Sequence, residues 1–418
     1  MNRHDESKKE RDLLKVLEIT RSLAAVVDLD SMFRLVIERG MELLDAERAT
    51  LFLYDAEKDE LISRIAAGVK EIRTPAGRGI SGQAVRTGTT INVPDAYADP
   101  RFNPEVDRQT GFHTRNILSV PLRDYEGSLV GVLQVLNKRT GTFDDYDVTL
   151  AETLGAQAGV ALQRARLIEH YLEKQRLQRA MMIARDIQQN LLPHENPRIP
   201  LFDVAGFSQA ADETGGDTYD YLPLGDGRWM FMVGDASGHG IGPALVIAET
   251  RAMLRAVGLQ GCDLRAILRT VNRLLSADLG DERFVTCFLG VLDPLNSRMS
   301  YASAGHGPLL FYDRQGDSFR QVNATGLPLG IMEDAEFKEI ANHDFAPGDF
   351  AAITTDGVFE AANSSGEMFG MGRVMDLLRR DRGLRAEETV RNLHQAVRDF
   401  TAGVPQADDL TAIIVRRT

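Results

Sequence analysis

The first apolar residues of the chain recur at three- and four-residue spacing: Leu13, Leu14, Leu17, Leu23, Val26 and Val27. That spacing predicts a helix, and the polar residues 1–12 before it are expected to form a frayed, disordered tail. A second helix follows, capped by Asp30 or Ser31 and continued by Met32, Leu35, Val36 and Leu43. The period then changes. Residues 49–55 and 61–67 read as strands, and 118–122 with 129–136 as a hairpin about Glu126-Gly127. A stretch punctuated by Gly and Pro separates the two pairs, and helix returns at Tyr146. Helices, strands, loop, strands and helix make an α+β domain, expected over residues 13–168.

Residues 148–192 contain no proline and little glycine, which predicts one long helix ended by Pro193 and Pro197. Leu154, Ala158, Ala161, Ala165, Ile168 and Leu172 alternate spacings of four and three, the seam of a coiled coil. The register breaks near Gln175 and Arg179 and resumes in another phase at Ala180, Ala184, Ile187 and Leu191. A homodimer through this helical linker, residues 169–197, and through the first domain is expected. Packing of the seam on the chain's own domains is the rival reading. From Phe202 the pattern is strand-rich, with strands at 204–207, 229–233, 284–292, 298–304, 309–312, 349–355 and 410–415. Amphipathic helices are expected at 243–257, 264–279, 371–379 and 386–400. Residues 198–418 thus form a second α+β domain, read as two sheets with helices outside.

Composition narrows the class. Hydrophobic residues make up 43%, too many for a disordered chain. Lys plus Arg is 48 and Asp plus Glu is 61, a net charge of −13, so neither nucleic acid nor an anionic membrane surface is an expected partner. No apolar run approaches the roughly 18 residues of a spanning helix. The charged N-terminus lacks the apolar core of a secretory signal, so a cytoplasmic protein is expected. Cys262 and Cys287 make neither a zinc spacing nor a disulfide framework.

Candidate chemistry sits where strands end. Asp217 lies in Gly215-Gly216-Asp217, Asp235 just after an apolar run, Asp356 in Thr355-Asp356-Gly357, and Asp408 and Asp409 before the last strand. A carboxylate at the end of a buried strand is costly unless it is paired or holds a cation. A set of oxygen donors without Cys or His suits Mg²⁺ or Mn²⁺. Each Asp-Gly alone is more often a turn than a ligand. His239 and His306 could serve as general acids, although loop histidines bonded to backbone are the commoner case. No Gly-x-Ser-x-Gly elbow supports a serine nucleophile.

The ordered set resembles the metal-dependent protein phosphatases (the PPM, or type 2C, superfamily), within them the SpoIIE-like branch. It comprises residues 184–193, 215–220, 234–240, 303–308, 326–330, 355–361 and 408–411. The resemblance implies a β-sandwich flanked by helices with two Mn²⁺ or Mg²⁺ ions at one end. Asp235 would bridge them, the Ala236 carbonyl would complete one site, and Asp356 and Asp408 would hold the other. Asp217 would bind directly or through water, and Asp409 at the first or second coordination shell. Asp217, Asp235, Asp356 and Asp408 would then be the catalytic set, and a hydroxide made by the ions would attack phosphorus in line. Thr218 and His239 depart from the commoner pattern, which bears on substrate contacts rather than on metal chemistry.

Residues 13–168 resemble a GAF sensor domain of the cyclic-nucleotide phosphodiesterase kind, on residues 92–103, 110–118 and 132–138. The Asn-Lys … Phe-x-x-x-Asp-Glu signature of that subgroup reads Asn137-Lys138, Phe143 and Asp147, with Val148 in place of Glu. The resemblance implies cAMP or cGMP as ligand, with Asn116, Asn137, Lys138 and Asp147 as candidate binding residues. A Lys138–Asp147 salt bridge tying the last strand to the last helix is the structural alternative. Helix N-terminal amides near residues 79–82 or 95–96 could receive the phosphate. The combined expectation is a protein serine/threonine phosphatase under GAF control. Its phosphoprotein substrate would be an anti-sigma-factor antagonist or a similar bacterial switch protein. The alternatives are an inactive phosphoprotein-binding regulator and a cyclic-nucleotide sensor controlling a different phosphohydrolase.

Overall fold

The structure, a computed structural model, describes residues 3–63, 72–261, 263–280, 283–337 and 340–418. Contacts divide the chain into two compact units, residues 1–176 and 177–418.

In the first unit, α1 (Arg3–Ala25) and α2 (Leu29–Leu43) precede β1 (Ala46–Asp55), β2 (Glu60–Ser63) and β3 (Ile72–Pro75). Then come α3 (Gly79–Thr87), β4 (Ile91–Val93), α4 (Glu105–Thr110), β5 (Ile117–Arg123), β6 (Leu129–Lys138) and α5 (Asp145–Leu191). The tail expected to be frayed is helical from Arg3. Its Lys, Glu, Arg and Leu are good helix formers, and neither Gly nor Pro interrupts them. The cap of α2 is Asp28, whose carboxylate accepts the Ser31 amide at 2.8 Å, rather than Asp30 or Ser31. The second expected strand is described only to Ser63; residues 64–67 lie outside the described residues.

Six strands form one sheet in the order β3-β2-β1-β6-β5-β4, with antiparallel pairs throughout. One core joins Leu51, Leu133 and Val135 of the sheet to Leu23, Met32 and Val36 of α1 and α2, and to Leu154, Ala158, Ala161 and Ala165 of α5. The first half of the expected coiled-coil seam is therefore taken up inside its own unit. A stripe at three- and four-residue spacing covers a sheet face as readily as a partner helix. Beyond it, Leu172 and Ile187 are exposed.

The second unit takes the last turns of α5 and then β7 (Phe202–Gln209), β8 (Asp217–Pro223), β9 (Trp229–Ala236), α6 (Ile241–Gly258) and α7 (Leu264–Asp278). It continues with β10 (Val285–Asp293), β11 (Arg298–Ala304), β12 (Leu309–Asp313), β13 (Ser318–Val322), β14 (Ala341–Asp344) and β15 (Phe350–Thr354). α8 (Gly357–Glu360), α9 (Gly370–Arg380), α10 (Ala386–Thr401) and β16 (Leu410–Arg417) close it. Two five-stranded sheets result, β14-β11-β10-β9-β8 and β13-β12-β15-β16-β7.

Alternate residues of both sheets interdigitate between them, among them Tyr221, Phe231, Phe288 and Tyr301 against Phe311, Ile353, Ile413 and Val415. The outer face of the first sheet is covered by Ile247, Leu254, Leu268 and Val271 of α6 and α7. That of the second is covered by Val374, Leu378, Val390 and Leu393 of α9 and α10. The unit is a β-sandwich flanked by helices. Among the described residues no helix is long and apolar enough to cross a membrane. Cys287 is buried and free, and Cys262 lies outside the described residues.

Candidate metal centre of the second unit and brace of the first

The acidic residues come from four strand ends at one edge of the sandwich. β8 opens on Asp217 and β9 closes on Asp235 and Ala236, with Asp217 directly opposite Asp235. In the other sheet the Thr355 amide donates to the Thr411 carbonyl at 3.0 Å, so the end of β15 lies beside the start of β16. This sets Asp356 next to Asp408 and Asp409. Asp356 also caps α8, its carboxylate accepting the Gly357 amide at 3.0 Å.

Polar bonds stitch the sheets together here. The Thr355 hydroxyl donates to Asp217 at 2.7 Å, and the Asp217 amide donates to Asp409 at 3.1 Å. The other Asp409 oxygen accepts the Ala211 amide at 2.7 Å. Close approach demands glycine twice. A side chain at Gly357 would meet the Asp409 carbonyl at 2.1 Å, and one at Gly216 would meet the Ala236 carbonyl at 2.7 Å.

The cluster is graded in depth: Asp217 and Asp409 are buried, Asp235 and Asp356 half-buried, Asp408 exposed. Burial, reinforced by the charges of Asp235 and Asp409, raises Asp217 well above the ordinary carboxylate value. Asp235 is pushed up to about 7, first by burial and then by Asp356, Asp408 and Asp409. Burial and the neighbouring Asp408 raise Asp356, while partial burial and Asp409 raise Asp408. Asp409 is also raised by burial, against the amides that hold it. Among the described residues, no lysine or arginine is among the main groups acting on these five carboxylates. The all-oxygen set has the donor chemistry that a hard divalent cation prefers. Among the described residues no three or more His, Cys, Asp or Glu side chains converge closely enough to enclose an ion, so the set is assembled without a closed coordination sphere.

Other expected residues fall elsewhere. His306 is buried, with Nδ1 3.1 Å from the Thr286 hydroxyl, and burial lowers it to about 4, so it is a neutral structural imidazole. His239 is exposed, its Nδ1 3.8 Å from the Asp212 carboxylate. Asp220, in the same stretch as Asp217, faces away and pairs with Arg251 at 2.8 Å and Arg255 at 2.5 Å. Two residues that sequence reading passed over matter here. One is Thr355, which holds Asp217. The other is Gln188 near the end of α5, which donates to the Gly215 carbonyl at 2.5 Å and accepts the Gly215 amide at 3.0 Å. The stretch 184–193 was the only signal for Gln188.

In the first unit the four candidate ligand residues are engaged with the protein itself. Lys138 pairs with Asp147, which also accepts the Asp144 amide at 2.9 Å. Asn137, at φ 59°, accepts the Arg115 amide at 2.6 Å and donates to the His113 carbonyl at 2.8 Å and to Glu47 at 2.9 Å. Asn116 accepts the Lys138 amide at 2.9 Å and donates to the Gly141 carbonyl at 3.3 Å. Together they brace β5 and β6 against the start of α5.

Comparison with known proteins agrees with both architectures. Residues 225–418 match the family model of stage II sporulation protein E (SpoIIE), and residues 28–162 match that of the GAF domain. A probable 3',5'-cyclic phosphodiesterase, pde-5, of Caenorhabditis elegans is 34% identical over 182 residues, 40% of this chain and 25% of that protein. A cGMP-specific 3',5'-cyclic phosphodiesterase of Drosophila sechellia is 33% identical over 190 residues, 41% of this chain and 16% of that protein. The chain thus spans a quarter or less of the length of these two curated relatives. The SiaA-PP2C domain of Pseudomonas aeruginosa superposes with a TM-score of 0.50 at 23% identity, over 59% of this chain and 98% of that domain, which shows a PP2C-type fold. The chain therefore joins a segment that matches the GAF domain model to one that matches the SpoIIE model, the second with a PP2C-type fold.

Proposed function

We propose that the chain is a Mn²⁺- or Mg²⁺-dependent protein serine/threonine phosphatase regulated by its GAF domain. The observation that carries this reading is the gathering of five aspartates at one edge of the sandwich with, in the described residues, no cationic side chain among the main groups acting on them. Asp235, Asp356 and Asp408 would hold a pair of ions, with the Ala236 carbonyl and Asp217 completing the set. Bound there, such ions lower the pKa of water for in-line attack on phosphorus and neutralise the phosphoryl oxygens. Thr355 orients Asp217, and Asp409 fixes the loop before β8 by accepting the amides of Ala211 and Asp217. By family analogy the substrate is a phosphorylated switch protein of the anti-sigma-factor-antagonist kind. Hydrolysis of an aryl phosphate and of a phosphoserine protein, each with Mn²⁺ and with chelator, tests the reading. Activity with Mn²⁺ alone supports it; activity indifferent to chelator removes it.

Regulation would run through α5. Its Gln188 holds both backbone groups of Gly215, two residues before Asp217, so a shift of the helix end is felt at the cluster. A proline at Ile183 should uncouple ligand response from activity while the second unit stays folded. An Ile183→Pro enzyme that still responds to its ligand would exclude this route.

The proposed ligand of the GAF domain is cAMP or cGMP, in keeping with phosphodiesterase relatives named for cyclic nucleotides. Because Asn116, Asn137, Lys138 and Asp147 brace the fold, the phosphate would be received instead at the first turn of α3. There Arg78 supplies no side-chain cap, and the buried Ser81 hydroxyl has no partner. Calorimetric titration should show heat with one of the two nucleotides and its loss in Ser81→Val. No heat with either would exclude the ligand.

A further inference from the structure

We propose that Arg283 binds the phosphoryl group of the substrate at the lip of the aspartate cluster, an inference that rests on the phosphatase reading above. The pairing of β9 and β10 places Thr286 opposite Asp235 and Val285 opposite Ala236. It continues past the strand ends: the Ser237 amide donates to the Phe284 carbonyl at 2.9 Å, and the Phe284 amide to the Ser237 hydroxyl at 3.1 Å. Arg283 is the next residue, beside the turn that leads away from Asp235.

Its guanidinium lies flat on Gly242 in the first turn of α6. Nη2, Cζ and Nη1 stand 3.3, 3.4 and 3.5 Å from where a Gly242 side chain would begin. The next residue, Pro243, shares a neighbour with the cluster: its Cβ and the Asp235 carboxylate lie 3.4 and 3.6 Å from the point a Gly216 Cβ would occupy. Arg283 therefore rests on the same helical turn that shares this neighbour with Asp235.

Among the described residues, Arg283 combines this position with the lack of a partner, which Arg265, Arg269 and Arg273 of α7 share without the position. Exposed arginines of this unit such as Arg228, Arg298, Arg373 and Arg391 are spent on carboxylates. Arg251 and Arg255 are committed to Asp220. The exposed Arg283 guanidinium has neither an ion pair nor a hydrogen bond among the described residues. The chemistry of the site needs such a group. Five carboxylates repel a phosphate dianion, and a planar two-pronged cation matches phosphoryl oxygens in a way a point charge does not.

The test is steady-state kinetics with Mn²⁺ on an aryl phosphate, with inorganic phosphate as competitive inhibitor. Arg283→Ala should raise both KM and the phosphate Ki by about 10- to 100-fold, the range for hydrogen bonds to a charged group. It should leave kcat within about threefold, and Arg283→Lys should recover only part of the loss. A side chain with a merely structural role would not split KM from kcat in this way. An active wild type whose Arg283→Ala variant keeps its KM and Ki within about twofold would overturn the assignment alone. A wild type without Mn²⁺-dependent hydrolysis would overturn the phosphatase reading, and this inference with it.

Discussion

Asp235→Asn should lower the Mn²⁺-dependent kcat/KM by at least about 10³-fold, roughly 4 kcal/mol of transition-state stabilisation. Asp235 stands at the junction of the sheets: it is paired with Asp217 across β8 and β9, and it feels the charges of Asp356, Asp408 and Asp409 from the other sheet. No other member of the set is in electrostatic contact with as many of the rest. Asparagine keeps the shape and one oxygen but removes the charge that would hold a cation against the other carboxylates. The loss should not be recovered by saturating substrate, because the lesion lies in the reacting centre rather than in binding. A variant retaining a tenth or more of wild-type kcat/KM would show that Asp235 is not a central ligand.

The same substitution should stabilise the metal-free protein at pH 8. Burial and neighbouring charges raise Asp235 to about 7, from an ordinary value of 3.8. The folded state then holds a proton on this group more tightly than the unfolded state does. Stability is greatest while the group is protonated and declines as pH rises from about 4 through about 7. Asparagine has no such decline. In chelator at pH 8, Asp235→Asn should exceed wild type by on the order of 2–4 kcal/mol, an advantage that fades as pH falls toward 4. His306 and His343 impose the opposite slope. Both are lowered to about 4 by burial, so their contribution is lost as pH falls below the ordinary 6.5 toward 4. They are common to both proteins and cancel in the difference. Denaturant unfolding at pH 4.5 and pH 8 gives the comparison, and a variant less stable than wild type at pH 8 would refute the electrostatic account. Loss of activity with gain of stability is the mark of a carboxylate kept for chemistry rather than for folding.

Much of the second unit could be read from the chain because its strands are apolar and its helices amphipathic. Residues 229–233 and 410–415 are almost uninterrupted buried runs, and the helices at 264–279 and 386–400 carry clear apolar stripes. What escaped notice is polar. β8, with the sequence Asp-Thr-Tyr-Asp-Tyr-Leu-Pro, looks like a loop, because strands are poor in Asp and Pro. Asp220 is tolerated inside it only because Arg251 and Arg255 reach over from α6. β13 and β14 are short edge strands with little buried surface, so no alternation marks them.

The positions of the aspartates could be read at strand ends, but their mutual approach depends on pairing between distant segments. The same limit applied to Gln188, a polar residue on a helix whose partner lies 27 positions away. In the first unit Asn137 and Lys138 were visible as a signature. Sequence could not tell a ligand contact from an internal brace, since both need the same polar atoms. The seam of α5 was ambiguous for a related reason: spacing specifies a face but not what covers it.

The bond between Asp217 and Asp409 joins positions 192 residues apart. Contacts of such long range are the last to form, because the chain entropy of closing the loop must be overcome before they contribute. Refolding should therefore restore fluorescence from the interior before it restores turnover. A molecule that has collapsed but not yet seated β16 would be compact and silent, so recovered turnover times the completion of the domain more faithfully than any measure of compaction.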